Sequence, residues 1–368
     1  MSRKNILVVI GTRPNFIKVT QFKRAAAAYP HLELKLVHTG QHFDEKMADV
    51  FFRQFGLTPD YFLGITAGAS ANTQIAEIML KLEELIHTAF KPDLMMVVGD
   101  VNSTLAAAIT ANKLGIRVAH VESGLRSFDS SMPEEHNRIL TDRLTQHFLV
   151  TEQSGWDNLL NEGVPEQQLF FSGNTMIDTM VAFKDEIERS PIFDDLGLQA
   201  GNYVLMTMHR PASVDHREGL LKLLDLIRDL SGRYKVVFPV HPRTLKQMET
   251  FGLKTDFDAI KALLFTEPLD YFAFQKLVRY CRLILTDSGG IQEESTFLGV
   301  PCLTLRPNTE RPVTCIVGTN TLVPFELETI RSYLSAIENG TYKKGSVPKL
   351  WDGHSSERIF KYLAEILA

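Results

Sequence analysis

Short runs of Val, Ile and Leu recur along this chain between longer stretches of helical period, and none of them shows the alternation of a strand with one wet face. The first series is ILVVIG (6–11), LKLVHTG (34–40), LMMVVGD (94–100), IRVAHVE (116–122), HFLVT (147–151) and LFFSGN (169–174). Strands that are apolar on both sides must be covered on both sides, and helices between them supply the cover, so the pattern dictates parallel sheets. The intervening helices are legible. Ile75, Ile78, Met79, Leu82, Leu85 and Ile86 recur at three and four, with Lys81, Glu83 and Glu84 between them, Asn72 as the expected cap and Pro92 beyond the end.

A second series, YVLMTMH (203–209), KVVFPVH (235–241), ALLFTEPL (262–269), RLILTDSGG (282–290) and VPCLTLR (300–306), follows a polar connector broken by Pro191 and Gly197. The boundary is expected between about 178 and 200. The expected fold is α/β, with two doubly wound Rossmann-like domains, 1–180 and 200–345, facing across a cleft. Residues 346–368 form a C-terminal helix that packs on either domain.

Bulk properties exclude several classes. Lys plus Arg is 39 against 44 acidic residues, a net charge of −5, so nothing in the total points to nucleic acid or to a polybasic membrane surface. The apolar run at the start is too short for a signal peptide, and no stretch approaches the 18 or so apolar residues of a spanning helix. Cys281, Cys302 and Cys315 fit no zinc spacing and read as reduced thiols of a cytoplasmic protein.

In doubly wound sheets ligands bind at the carboxyl ends of the strands. At those ends stand Arg13, Asp100, Glu122, His209, His241 and the stretch from Asp287 to Gly290. In GTRPNFIK (11–18) a turn at Gly11, a helix expected from about Asn15, and the cations Arg13 and Lys18 make an anion seat without the spacing of a dinucleotide fold or P-loop. TDSGGIQEES (286–295) is a second seat, where Ser288, Gly289 and Gly290 present successive amides at a helix start and Glu293 or Glu294 is placed to accept ribose hydroxyls. LRPNTERP (305–312) adds Arg306, Glu310 and Arg311, and His209 with Arg210 adds a proton carrier or phosphate partner.

The loop HVESGLRSFDSSMPEEHNR (120–138) sets Glu122, Asp129, Glu134 and Glu135 beside His120, Arg126 and Arg138. With Asp100 this gives gathered carboxylates, expected to repel one another so that at least one has a raised pKa fit for acid–base work. A metal is the rival explanation. The arginines in the same loop, and the lack of HExxH, EF-hand or paired-thiol spacing, argue against it, so neither metal nor cofactor is expected.

GTRPNFIK, HTGQHFD, VVGDVNSTLA, AHVESGLRSFD, MPEEHNRILTD, SGNTMID, TDSGGIQEE and NTERPVT, in this order from about residue 6 onward, resemble the non-hydrolysing bacterial UDP-N-acetylglucosamine 2-epimerases. The resemblance implies the two-domain glycosyltransferase-B type of fold, an interdomain site, a homodimer, and UDP-N-acetylmannosamine as product. It assigns acid–base work to Asp100, Glu122, Glu134 and His209, and UDP contacts to Arg13, Ser288, Gly289, Gly290 and Glu294. Lys18, Arg138, Arg210, His241 and Arg311 complete the expected UDP-sugar-binding set. The chain departs from much of that family in carrying Asn15 where Glu is common, and HRPAS at 209–213 where HRxEN is common. The second change argues against activation by a second substrate molecule. Alternative expectations are a C3- or C6-modified UDP-N-acetyl sugar as substrate, or a glycosyltransferase of the same fold.

Overall fold

The computed structural model describes residues 3–41 and 54–368, and His42, Phe43 and Asp44 of the HTGQHFD motif lie outside them. The chain divides into two compact units, residues 1–182 with 349–368, and residues 183–348.

The first unit holds β1 (Lys4–Ile10), β2 (Leu32–His38), β3 (Tyr61–Phe62), β4 (Leu94–Val98), β5 (Arg117–Val121), β6 (His147–Val150) and β7 (Leu169–Phe171). Among the described residues they form one sheet in the order β3-β2-β1-β4-β5-β6-β7, every pairing parallel. The second unit repeats the plan with β8 (Tyr203–Thr207), β9 (Lys235–Pro239), β10 (Leu263–Thr266), β11 (Leu283–Thr286), β12 (Cys302–Thr304) and β13 (Asn320–Leu322) in the order β10-β9-β8-β11-β12-β13. Both are doubly wound Rossmann-like orders, as the apolar runs required. In each, the chain reverses its direction of travel through the sheet between two central strands, β1 and β4 in one unit and β8 and β11 in the other. Such a reversal leaves an open crevice at the strand ends, because the connections leave toward opposite faces.

The central strands are buried throughout, Leu94–Val98 at every position, and helices pack on both faces. In the second unit Val204, Met206, Leu283 and Leu285 sit under the helix Arg217–Ser231, while Leu205, Ile284 and Cys302 sit under the helix Tyr271–Tyr280. β3 and β13, of two and three residues, are too short to register as apolar runs, which is why the sequence reading omitted them. The helix expected to be capped by Asn72 spans Ala71–Thr88 and is capped two residues earlier, where Ser70 accepts the Thr73 amide at 3.2 Å.

The C-terminal helix Ser355–Ile366 belongs to the first unit. Phe360 meets Phe22 edge to face at 5.4 Å, Tyr362 stacks on Phe170 at 4.5 Å, and the buried Trp351 ring donates to the Thr151 carbonyl at 3.0 Å. Asp178, far away in sequence, accepts the Ser355 and Ser356 amides at 3.0 and 2.5 Å and so caps the helix from outside it.

Candidate active site

In the first unit the site grows from the β1–β4 reversal. The helix after β1 begins at Arg13, two residues before the expected start, because Pro14 lacks an N–H and is tolerated in a first turn. Asn15 fixes this turn. Its side-chain oxygen accepts from the Gly11 amide (3.2 Å) and the Thr12 hydroxyl (3.1 Å), and its amide donates to the Val98 carbonyl at the end of β4 (3.1 Å). Gly11 has no room for a side chain, since a Cβ there would lie 2.0 Å from Ser103 Oγ. Arg13 is half-buried in the first helical turn.

Lys18, expected as a second cation for an anion, is buried and bonded to Glu122. A buried ammonium beside a buried carboxylate is spoken for by it, so Lys18 serves the carboxylate and not the phosphate seat. Glu122 follows β5 with a φ of 73°, a left-handed conformation that a non-glycine residue holds only under constraint. The neighbouring Gly99 has a φ of 66°, a left-handed conformation that glycine takes without strain.

Asp100 follows Gly99, half-exposed, with Oδ2 accepting from Arg138 at 2.5 Å. Arg138 also donates to Glu135 at 2.9 Å, so it holds one candidate acid in place where a ligand contact had been expected. Glu134 is exposed at the start of the helix Pro133–Arg143, while its neighbour Glu135 is buried. The first is therefore open to a substrate and the second is not.

Beneath this layer His120 is fully buried, with Nδ1 2.7 Å from Asp142 and Nε2 2.8 Å from the Gly99 carbonyl. Asp142 also binds Arg126 (2.7 Å) and the Gly124 amide (3.1 Å), and Arg126 reaches Glu162 at 2.9 Å. Burial would raise the Asp142 pKa, but His120 and Arg126 together hold it below the usual aspartate range. The expected mutual repulsion of carboxylates is thus answered by pairing: Glu122 meets Lys18, Asp142 meets Arg126, and Asp100 and Glu135 share Arg138. Among the described residues no group of three His, Cys, Asp or Glu is arranged to hold a metal ion.

In the second unit the candidate residues gather at the β8–β11 reversal. Asp287, fully buried after β11, accepts the His209 and Arg210 amides (3.0 and 2.8 Å) and faces His209 Nδ1 at 3.0 Å. A carboxylate on Nδ1 fixes the imidazole tautomer and leaves Nε2 as the reactive nitrogen. Burial would raise the Asp287 pKa, and His209 with the two amides lowers it overall. The His241 ring centre lies 5.4 Å from that of His209, and burial, then His209 and Arg243, push its pKa down.

The anion seat needs correction in one detail. The Ser288 amide is not presented but donates to Thr286 Oγ1 at 2.9 Å, which leaves the Gly289 and Gly290 amides at the mouth of the helix Gly290–Leu298. Gly289 is required: a Cβ there would lie 2.6 Å from Glu310 Oε1 and 3.3 Å from Arg311 Nη1. Arg311, expected to contact a ligand, is buried between Glu293 (2.8 Å) and Glu310 and braces the seat from behind. Arg306 pairs with Glu310 at 3.1 Å through one nitrogen, while its buried Nη1 has no hydrogen-bond partner among the described residues. Glu294 is buried and accepts from Gln275 at 2.6 Å.

Sequence reasoning missed Asp142, Gln275 and the orienting role of Asp287. Asp142 had a signal, since Glu135, Arg138 and Asp142 fall at i, i+3 and i+7 and put charge on the buried face of one helix. Gln275 had none, being polar inside an otherwise ordinary amphipathic helix.

A family model described as UDP-N-acetylglucosamine 2-epimerase matches residues 24–364. The UDP-N-acetylglucosamine 2-epimerase of Methanocaldococcus jannaschii is 38% identical over 97% of this chain and 98% of its own. The UDP-2,3-diacetamido-2,3-dideoxy-D-glucuronate 2-epimerase of Pseudomonas aeruginosa is 37% identical over 98% of this chain and 99% of its own. The crystal structure of the Methanocaldococcus jannaschii enzyme, in complex with UDP-GlcNAc and UDP, superposes with a TM-score of 0.88 at 36% identity, covering 98% of this chain and 99% of that one.

Proposed function

The chain belongs to the UDP-N-acetylglucosamine 2-epimerase family, and we propose that it interconverts UDP-N-acetylglucosamine and UDP-N-acetylmannosamine without hydrolysis. The observation that carries this reading is the pair of carboxylates, Asp100 and Glu122, at the ends of neighbouring strands and each against its own cation.

The C2–H of an N-acetyl sugar has no adjacent carbonyl and is poorly acidic, so direct deprotonation is unfavourable. Elimination avoids it. A carboxylate takes the C2 proton, the C1–O bond breaks with its electron pair leaving on UDP, and a C1=C2 double bond forms. Re-addition delivers a proton to the opposite face of C2 and returns the diphosphate oxygen to C1. Asp100, Glu122 and Glu134 are the groups we assign to the two faces. Arg13, Arg210, His209 and the Gly289 and Gly290 amides meet the charge that develops on the diphosphate, and Glu294 accepts the ribose hydroxyls. Lys18, Arg138 and Arg311 act behind these groups. We read the protein as a cytoplasmic protein, since its cysteines are free and no helix of the described residues is long and apolar enough to cross a membrane, and as a homodimer on the family resemblance alone.

Incubation with UDP-N-acetylglucosamine in deuterated water should place deuterium at C2 and produce the manno epimer, with little free UDP by phosphorus NMR. Transfer of the sugar to an acceptor without C2 label would make the protein a glycosyltransferase, and stoichiometric UDP release with free sugar a hydrolysing enzyme. A second reading has its own support in the Pseudomonas aeruginosa relative, which is nearly as similar. Exchange confined to a diacetamido uronic acid nucleotide in a panel of UDP-sugars would select it.

A further inference from the structure

Glu135 has no place in the elimination, yet its carboxylate accepts four hydrogen bonds. Its Oε2 accepts from the Ser127 amide (2.8 Å), the Ser127 hydroxyl (2.9 Å) and Arg138 Nη1 (2.9 Å), and its Oε1 accepts from the Phe128 amide (3.0 Å). Four donors saturate a carboxylate. Burial would raise its pKa, but the Ser127 and Phe128 amides, the Ser127 hydroxyl and Arg138 bring it below the usual glutamate range. A group so held does not carry protons. It is also only 3% exposed and offers no surface to a ligand.

Two features lie at the ends of its hydrogen bonds. On one side, Phe128 has a φ of 57°, an outlier for an aromatic residue, and its side chain is 81% exposed, so packing of the ring does not compensate the strain. The Glu135 bonds to Ser127 and Phe128 hold that turn. On the other side, Arg138 carries the connection to Asp100 Oδ2 at 2.5 Å, and the adjacent Asn137 binds the Asp100 carbonyl at 2.9 Å. The Asp100 side chain is nonetheless 25% exposed, so the carboxylate is held by Arg138 while it stays in reach of solvent.

We propose that Glu135 is a positioning residue: through Arg138 it locks the Asp100 carboxylate in one orientation, and through Ser127 and Phe128 it fixes the loop that joins Glu122 to Glu134. A guanidinium tethered at one end only would follow its carboxylate through several rotamers. Tethered at both ends it defines a fixed plane against which Asp100 is set. Proton transfer needs that precision, since displacement by an ångström costs about 100-fold in rate.

This inference rests on the assignment of Asp100 as a reacting group, and a double-mutant cycle separates the two. Glu135→Gln keeps the shape and loses the charge-assisted hold on Arg138. It should lower kcat about 10- to 100-fold, leave KM and UDP affinity within about threefold, and leave the unfolding midpoint near that of the wild type. In an Asp100→Asn background the same substitution should lower C2 exchange far less than it does in the wild type, because the group oriented through Arg138 is gone and only the hold on the loop remains. Arg138→Lys should reproduce the loss, and it carries the cycle if Glu135→Gln does not fold. Losses that multiply in the Asp100→Asn background, or a loss of UDP affinity as large as that of kcat, would overturn the proposal. A wild-type protein that exchanges C2 of no UDP-sugar would instead remove the functional assignment, and the proposal with it.

Discussion

Lys18 and Glu122 show how one residue can look like a ligand contact and be something else. Both are buried, and the ion pair lets Glu122 remain charged away from water. Lys18→Met would remove the buried cation that faces a buried carboxylate, a change expected to cost about 3–5 kcal/mol of stability in denaturant unfolding. Turnover should fall with it, while UDP affinity is retained. Direct neutralisation of the reacting groups has a different signature. Asp100→Asn, Glu122→Gln and Glu134→Gln should each lower turnover about 100-fold or more with UDP binding intact, and near-normal turnover in all three would exclude them from the chemistry. Gly289→Ala acts on the other half. Its methyl meets Glu310 and Arg311, so it should weaken UDP binding about tenfold or more in calorimetry, with little effect on the first unit.

Elements carry these residues to their places, and two of them are held by groups outside themselves. The turn after β2 is set by His38, whose Nδ1 accepts the Gly40 amide at 3.0 Å while its ring stacks on Phe62. Burial lowers the His38 pKa to about 4. Above pH 6.5 the ring is neutral in folded and unfolded chains alike. As the pH falls from 6.5 toward 4 only the unfolded chain takes up the proton, so stability should decline by up to about 3 kcal/mol and level off below that. His38→Gln should flatten this part of the stability profile measured by denaturant unfolding. The helix Ser355–Ile366 depends on Asp178 for its cap. Asp178→Ala should cost about 1–2 kcal/mol and speed amide exchange at the helix start, and unchanged exchange there would show that the cap is dispensable.

For the whole molecule the decisive fact is that the chain returns to its first unit after completing the second. Trp351, Ile359, Phe360 and Leu363 are all at or below 1% exposure, so the last twenty or so residues are part of a core laid down much earlier in the chain. Large apolar side chains of this kind are worth about 3–5 kcal/mol each, and together they rival the stability of a typical domain. Truncation after Pro348 should therefore unfold or strongly destabilise the first unit while leaving the second cooperative, visible as loss of one of two transitions in calorimetry. A single transition at the wild-type temperature would contradict this.

The apolar runs by themselves determined both sheets except for the short strands β3 and β13, because a strand buried on two faces leaves an unmistakable composition and helices must cover it. They also brought the candidate residues to one place in each unit, since residues that follow the central strands lie where the winding reverses. Asp100, Glu122, His209 and the Gly289–Gly290 turn were found in this way. What each charged residue does there was decided only by tertiary structure. Lys18, Arg138 and Arg311 are cations in the sequence and could equally have met a phosphate. Folding brought each within reach of a buried carboxylate, from Glu122, from Asp100 and Glu135, and from Glu293 and Glu310. A charge taken out of water must be answered by its nearest opposite, and which one is nearest is a property of packing that no local spacing records.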